Sequence, residues 1–221
     1  MTDDGALDST RNPDASEDEL GGGTERDVMP TGGYRSTHVV GIGGSAGGIP
    51  AMQRFFSAMP ADSNMAFVVV LHLSPEHDSA LSEVLQTTTA MRVEQATDGM
   101  LARVNHVYVI PPGQHLSMTN DRLRLTELPR ERGRRLTVDL FFRSLADTHG
   151  PHAVGIIFSG GDGDGALGIK RIKERGGLTI AQDPNEAEHD GMPRSAIATS
   201  MVDWVLRAEL MPARLLDYQK R

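Results

Sequence analysis

The chain has 221 residues, 38% of them apolar, no cysteine and a net charge of −8, which is room for one large domain or a domain with a tail. Without cysteine there are no disulfides, thiol nucleophiles or thiolate metal sites. The longest apolar run, MAFVVVL at 65–71, is far too short to span a bilayer, so no membrane insertion is expected.

Residues 1–36 carry nine acids against Arg11, Arg26 and Arg35, and so account for −6 of the charge. They also hold the Gly21-Gly22-Gly23 run and few large apolar residues, too little to offset the entropy of ordering. This stretch reads as a disordered acidic tail, and 37–221 as the folded domain. A near-neutral body gives no electrostatic case for nucleic acid. With no basic, apolar leader, the expected location is the cytoplasm.

From His38 onward β-branched runs alternate with helical patterns, the mark of a doubly wound, mainly parallel α/β sheet with helices on both faces. HVVGI at 38–42 is the first strand. Pro50 opens a helix whose apolar positions Met52, Phe55, Phe56 and Met59 recur at helical spacing. MAFVVVL is apolar on both faces, as a central strand must be. A helix over Ser79–Leu85 and an extended HVYVIPP at 106–112 follow. HLSMT and RLRLTEL, broken at Asn120-Asp121, predict a surface β-hairpin. Next come a helix over Val138–Ala146 with Asp139 in its first turn, the strand AVGIIFS at 153–159, the loop GGDGDG at 160–165 and the helix ALGIKRIKE. The strand LTIAQ, a short helix MPRSAIATS at 192–200 and a last strand VDWVL at 202–206 complete the pattern.

The stretch GIGGSAGGIP at 41–50 has two readings. Gly41, Gly43 and Ala46 spell the G-x-G-x-x-A of a dinucleotide-binding turn, whereas Gly43, Ser45 and Gly47 spell the G-x-S-x-G of a nucleophilic serine. The first wants an acid at the end of the second strand to hold the ribose, and that position offers Leu71 and His72.

Ligands collect outside the carboxyl ends of the strands in such sheets. Ser45, His72 and the pair Asp162 and Asp164 all sit there, and together they would form an acyl-transfer triad. Singly, each has a plainer reading: a cap or phosphate-loop serine, a packed histidine, a turn-forming aspartate. Gly43, Gly44, Gly47 and Gly48 would let the backbone turn sharply and project Ser45. The amides behind it, from Ala46 and Gly47, would face the developing oxyanion. An α/β-hydrolase order, with His189 as base, would need the nucleophile in mid-chain rather than on the first strand.

GIGGSAGG, VVVLH at 68–72, VYVIPPG at 107–113, FSGGDGDGALG at 158–168, LTIAQD at 178–183 and GMPRSAI at 191–197 resemble, in order and spacing, the catalytic domain of the chemotaxis protein-glutamate methylesterases (CheB). The resemblance covers about residues 37–218. It implies hydrolysis of γ-glutamyl methyl esters on cytoplasmic chemoreceptor helices, with methanol released, and deamidation of receptor glutamines by the same triad. The implied nucleophile is Ser45, the base His72 and the orienting carboxylate Asp164, with Asp162 left to the loop. This chemistry needs no cofactor and no metal. The implied partners are a methyl-accepting chemotaxis receptor or similar signalling protein and a separate methyltransferase or response regulator. An idle, receptor-binding scaffold is the alternative.

Three features depart from the family pattern. A 36-residue tail stands where the common enzyme carries a receiver domain, so control by phosphorylation in cis is not expected. HLSPEHDSALSEVLQ at 72–86 looks more like the esterase portion of fused methylesterase/methyltransferase proteins. Gly161 replaces the methionine of the familiar loop. The basic residues Arg130, Arg132, Arg134 and Arg135 could meet an acidic receptor or form a solvated loop. Arg194 is read as tied to the fold or the site rim.

Overall fold

The computed structural model describes residues 32–72, 80–127 and 136–220, with the side chains of Ala46 and His72 excepted. Nearly all of the acidic tail, the start of the helix placed at Ser79 and the basic run at 130–135 lie outside the described residues.

Seven strands form one parallel sheet in the order β3-β4-β2-β1-β7-β8-β9. They are β1 (His38–Ser45), β2 (Met65–His72), β3 (Arg92–Gln95), β4 (His106–Val109), β7 (Ala153–Ile157), β8 (Leu178–Gln182) and β9 (Trp204–Leu206). The intervening β5 (Gln114–Thr119) and β6 (Arg122–Glu127) pair antiparallel as the expected hairpin. Among the described residues six α-helices cover the sheet: α1 (Ile49–Ala58), α2 (Leu81–Gln86), α3 (Thr137–His149), α4 (Ala166–Glu174), α5 (Gly191–Ala198) and α6 (Met211–Gln219).

Parallel strands are buried on both faces because their crossovers lay helices over each side. Every residue of β7 and β8 is buried accordingly. Successive positions along β1 and β2 feed opposite layers. Val40, Ile42, Phe67 and Val69 join α1, α2 and α6 in one apolar cluster, while Val39, Ala66, Val68 and Val70 join α3, α4, α5 and the hairpin in the other. The first cluster centres on Phe55, whose ring meets those of Phe56, Phe67 and Phe158 edge-on at 5.1, 6.1 and 6.0 Å. The hairpin is not a free surface ribbon. Leu116, Met118 and Leu123 are buried beneath it, and Met118 N donates to Ser144 Oγ of α3 at 2.9 Å.

Two elements escaped the sequence reading. RVEQ of β3 is short, polar at three of its four positions and at the sheet edge, so it lacks the apolar signal of an inner strand. MPARLLDYQ of α6 buries only Met211, Pro212 and Leu215. Elsewhere the boundaries move: β1 runs on through Ser45, and VDWVL is a strand only from Trp204.

The domain's entry strand is preceded by a tied segment. Arg35 N donates to Thr148 O at 3.1 Å, Arg35 pairs with Asp121 at 3.3 Å, and the Tyr34 ring lies against Gly150.

Candidate active site

β1 is the centre of the sheet, with β2 on one side and β7 on the other. The chain winds outward from β1 through β2 to β3 and β4, then returns by α3 to β7 across β1. That reversal is a topological switch point, where the loops leaving neighbouring strands part and open a crevice at their carboxyl ends. Ser45 ends β1 and His72 ends β2, and the two are Cα partners in the ladder. Neighbouring strands lie about 4.8 Å apart, so these backbone positions are adjacent. Position 45 continues the series 39, 41, 43 that packs against α3.

Asp164 reaches this edge through α3. Val138, in the first turn of α3, sits directly on β1: a Cβ at Gly43 would lie 2.4 Å from Val138 Cγ1. Val138 N donates to Asp164 Oδ2 at 2.8 Å and Asp139 N to Asp164 Oδ1 at 2.9 Å. The carboxylate, only 2% exposed, therefore caps α3 two residues along the strand from Ser45. Within the loop, Asp162 Oδ1 accepts Asp164 N at 3.0 Å.

The chain does turn directly after Ser45, but without a left-handed glycine. None of Gly43, Gly44, Gly47 and Gly48 has positive φ. The strand passes straight into a short 3-10 turn, Ala46–Gly48, that leads to α1, with the amides of Ala46 and Gly47 in that turn. What the glycines provide is close approach. A Cβ on Gly47 would stand 2.9 Å from His189 Cδ2 and 3.2 Å from Ser159 Oγ.

Ser159 knits this side of the crevice. Its carbonyl accepts Ser45 N at 3.0 Å, its Oγ accepts His189 N at 2.8 Å and donates to His189 O at 3.1 Å, and its own N–H goes to Gln182 Oε1 at 2.9 Å. Gln182 Nε2 in turn donates to Glu186 Oε2 at 3.1 Å, beside a cavity of about 200 Å³ that Gly47, Arg54 and Glu188 help to line. His189 is thus held near the serine turn, with an exposed ring 3.7 Å from Glu188.

Of the other expected residues, Gly161 is exposed with open space where a side chain would be, and Arg194 of α5 makes an ion pair with Asp190, the residue just before that helix. Sequence reasoning missed two residues near Asp164. His115, on β5, has its proton affinity lowered by desolvation, against the pull of the Asp164 charge. Asp139 was read only as a favourable charge at a helix start. In the structure it is 3% exposed and its Oδ1 accepts Gly168 N of α4 at 2.7 Å. Burial pushes its carboxyl up to about 6; the bond from Gly168 lowers it and the Asp164 charge raises it further.

Among the described residues no group of three or more His, Asp or Glu is arranged to hold a metal, and no helix is long and apolar enough to cross a membrane.

The chain resembles known proteins over this same region. A crystal structure of the Thermotoga maritima CheB methylesterase catalytic domain superposes with a TM-score of 0.78 at 28% identity, covering 83% of this chain and all of that one. A protein-glutamate methylesterase/protein-glutamine glutaminase of Xanthomonas euvesicatoria is 36% identical over 188 residues, and one of Methanosarcina mazei 31% over 182. Those matches take in 83% and 79% of this chain but 52% and 50% of the relatives, so the chain spans about half their length. A Leptospira interrogans protein provisionally given the same description is 34% identical over 169 residues, 76% of this chain and 88% of its own length. Residues 40–215, from the first strand to the last helix, match the CheB methylesterase family, and to that family this chain belongs.

Proposed function

We propose that the protein is a protein-glutamate methylesterase in which Ser45 is the nucleophile, His72 the base and Asp164 the orienting carboxylate. The observation that carries this is the convergence at one sheet edge. Ser45 and His72 are ladder partners, and α3 holds the buried Asp164 against the same strand end. With the family it supports a hydrolase over an idle scaffold.

In this reading Ser45 Oγ attacks the γ-carbonyl carbon of a glutamyl methyl ester while His72 takes its proton. The oxyanion is received by amides of the turn that starts at Ala46. As the carbon–oxygen bond to the methyl group's oxygen breaks, the imidazolium returns the proton and methanol departs. Water, deprotonated by the same imidazole, then cleaves the glutamyl–Ser45 ester and leaves a glutamate carboxylate. A glutamine substrate would follow the same path with ammonia as the leaving group. Asp164 keeps the imidazole oriented and stabilises its cationic form. The substrate class is the cytoplasmic helices of a chemotaxis receptor or similar signalling protein, and a separate methyltransferase would install the ester.

The test is methanol release from a methyl-esterified chemoreceptor cytoplasmic fragment, paired with labelling by a serine-directed fluorophosphonate. Ser45→Ala should abolish both, and His72→Ala should lower both by about 10³-fold or more. His189→Ala separates the two histidines beside the serine and should retain activity within tenfold. Release undiminished in Ser45→Ala, or loss in His189→Ala matched by none in His72→Ala, would sink the assignment.

A further inference from the structure

The two helices that flank the proposed triad cap each other. α3 begins without a side-chain cap of its own, and so does α4. Four N–H groups at the start of a helix lack intrahelical partners, and burial makes leaving them so costly. Asp164, just before α4, supplies the acceptor for Val138 and Asp139 at the start of α3. Asp139, in the first turn of α3, supplies the acceptor for Gly168 in the first turn of α4. The exchange is reciprocal, and Asp139 takes part in both directions. Its N–H holds the Asp164 carboxylate and its own carboxylate holds the helix that follows.

Between these two anchors lies Gly165, at φ +95°, whose backbone fits tightly: a Cβ there would be 2.5 Å from Ile157 Cδ1 and 2.9 Å from Val138 Cγ1. Glycine takes a positive φ as readily as a negative one, so the local backbone alone does not hold the turn to one geometry and the packing around it does. We propose that Asp139 is a positioning residue for the ester hydrolysis, fixing the 164–168 turn at both ends so that the Asp164 carboxylate stays aimed at the base. A buried carboxylate close to a second one is retained here at an energetic cost, which a packing role alone would not require. The inference rests on the reading of Asp164 as the triad acid.

The experiment measures the second-order rate of fluorophosphonate labelling, and methanol release per labelled site, for the full chain and for Asp139→Ala, Asp139→Asn, Asp164→Asn and the double variant Asp139→Ala/Asp164→Asn. A misplacement of about 1 Å can cost about 10²-fold in rate. Asp139→Ala should therefore label roughly 10- to 100-fold more slowly, and Asp139→Asn, which keeps an acceptor for Gly168 N, should recover to within about threefold of wild type. Because Asp139 acts through Asp164, the double variant should be no slower than Asp164→Asn alone. A merely structural role would lower the melting temperature and leave the rate per labelled site unchanged. Should Asp139→Ala fail to fold, Asp139→Ser, with a shorter acceptor, takes its place and should fall between Ala and Asn. Wild-type labelling in Asp139→Ala, or effects of Asp139→Ala and Asp164→Asn that multiply independently, overturns the proposal. If Asp164→Asn itself labels at the wild-type rate, the triad reading fails instead, and the two failures are read from separate proteins.

Discussion

Asp139 also makes a prediction about stability that is independent of any substrate. Burial pushes its carboxyl from 3.8 up to about 6 in the fold, and at about 1.4 kcal/mol for each tenfold change in proton affinity this is about 3 kcal/mol. The group is buried, so little of this is screened by solvent. A carboxyl raised on folding binds its proton more tightly in the native state than in the unfolded chain. The stability it contributes is then fully present below about pH 4 and is lost as the pH rises through 6. Asparagine keeps an acceptor for Gly168 N and cannot ionise. The stability curves of wild type and Asp139→Asn should therefore diverge with pH, the variant gaining about 3 kcal/mol on wild type between pH 4 and pH 7.5. Urea unfolding at half-unit pH steps measures the gap directly, and titration of other carboxylates cancels in the difference. Parallel curves, or a gap that opens in favour of wild type as the pH rises, would refute the account of Asp139 as a carboxylate ionised against its surroundings.

The opposite linkage is expected at the far end of the sheet. His149, fully buried, is pushed down to about 4 by desolvation, which outweighs the pull of Asp121; His152 and Arg35 push it the same way as burial. Its contribution is present above pH 6.5 and lost as the pH falls toward 4, a swing of about 3 kcal/mol that a fluorescence-monitored unfolding series should show and that His149→Phe should flatten. Gly43→Ala would drive a methyl group to 2.4 Å from Val138 Cγ1, and overpacking of this kind costs about 1–3 kcal/mol, or a melting temperature lower by at least about 2 °C. Since the displaced residue is one whose N–H holds the Asp164 carboxylate, fluorophosphonate labelling should slow as well, and Val138→Ala in the same chain should restore both; a folded Gly43→Ala with wild-type melting and labelling would contradict the packing described.

Inner strands were legible because burial on two faces demands unbroken apolar runs, and HVVGI, MAFVVVL and AVGII have them. The hairpin was legible from Asn120-Asp121, and Asn120 indeed turns at φ +55°. β3 was not, since an edge strand of four residues with Arg92, Glu94 and Gln95 looks like loop. At the site, Ser45, His72 and Asp164 could be singled out because strand ends are where a doubly wound sheet gathers ligands. The glycines around Ser45 serve by close approach rather than by positive φ. Gly43 and Gly47 are required by the approach of Val138 and His189, residues 95 and 142 positions away, and no local pattern announces such neighbours.

What the amino-acid sequence determined by itself is therefore the periodic part: a parallel sheet, its inner strands and helices, and which reactive side chains fall at strand ends. Periodicity and turn chemistry are local, set by the nearest few residues, and can be read along the chain. Which strand ends become neighbours was decided only by the tertiary structure, through the order that puts β2 and β7 on either side of β1. So was the mutual capping of α3 and α4 by Asp164 and Asp139, because a buried amide 25 residues away fixes what a carboxylate does, and burial decides what it costs to keep it charged.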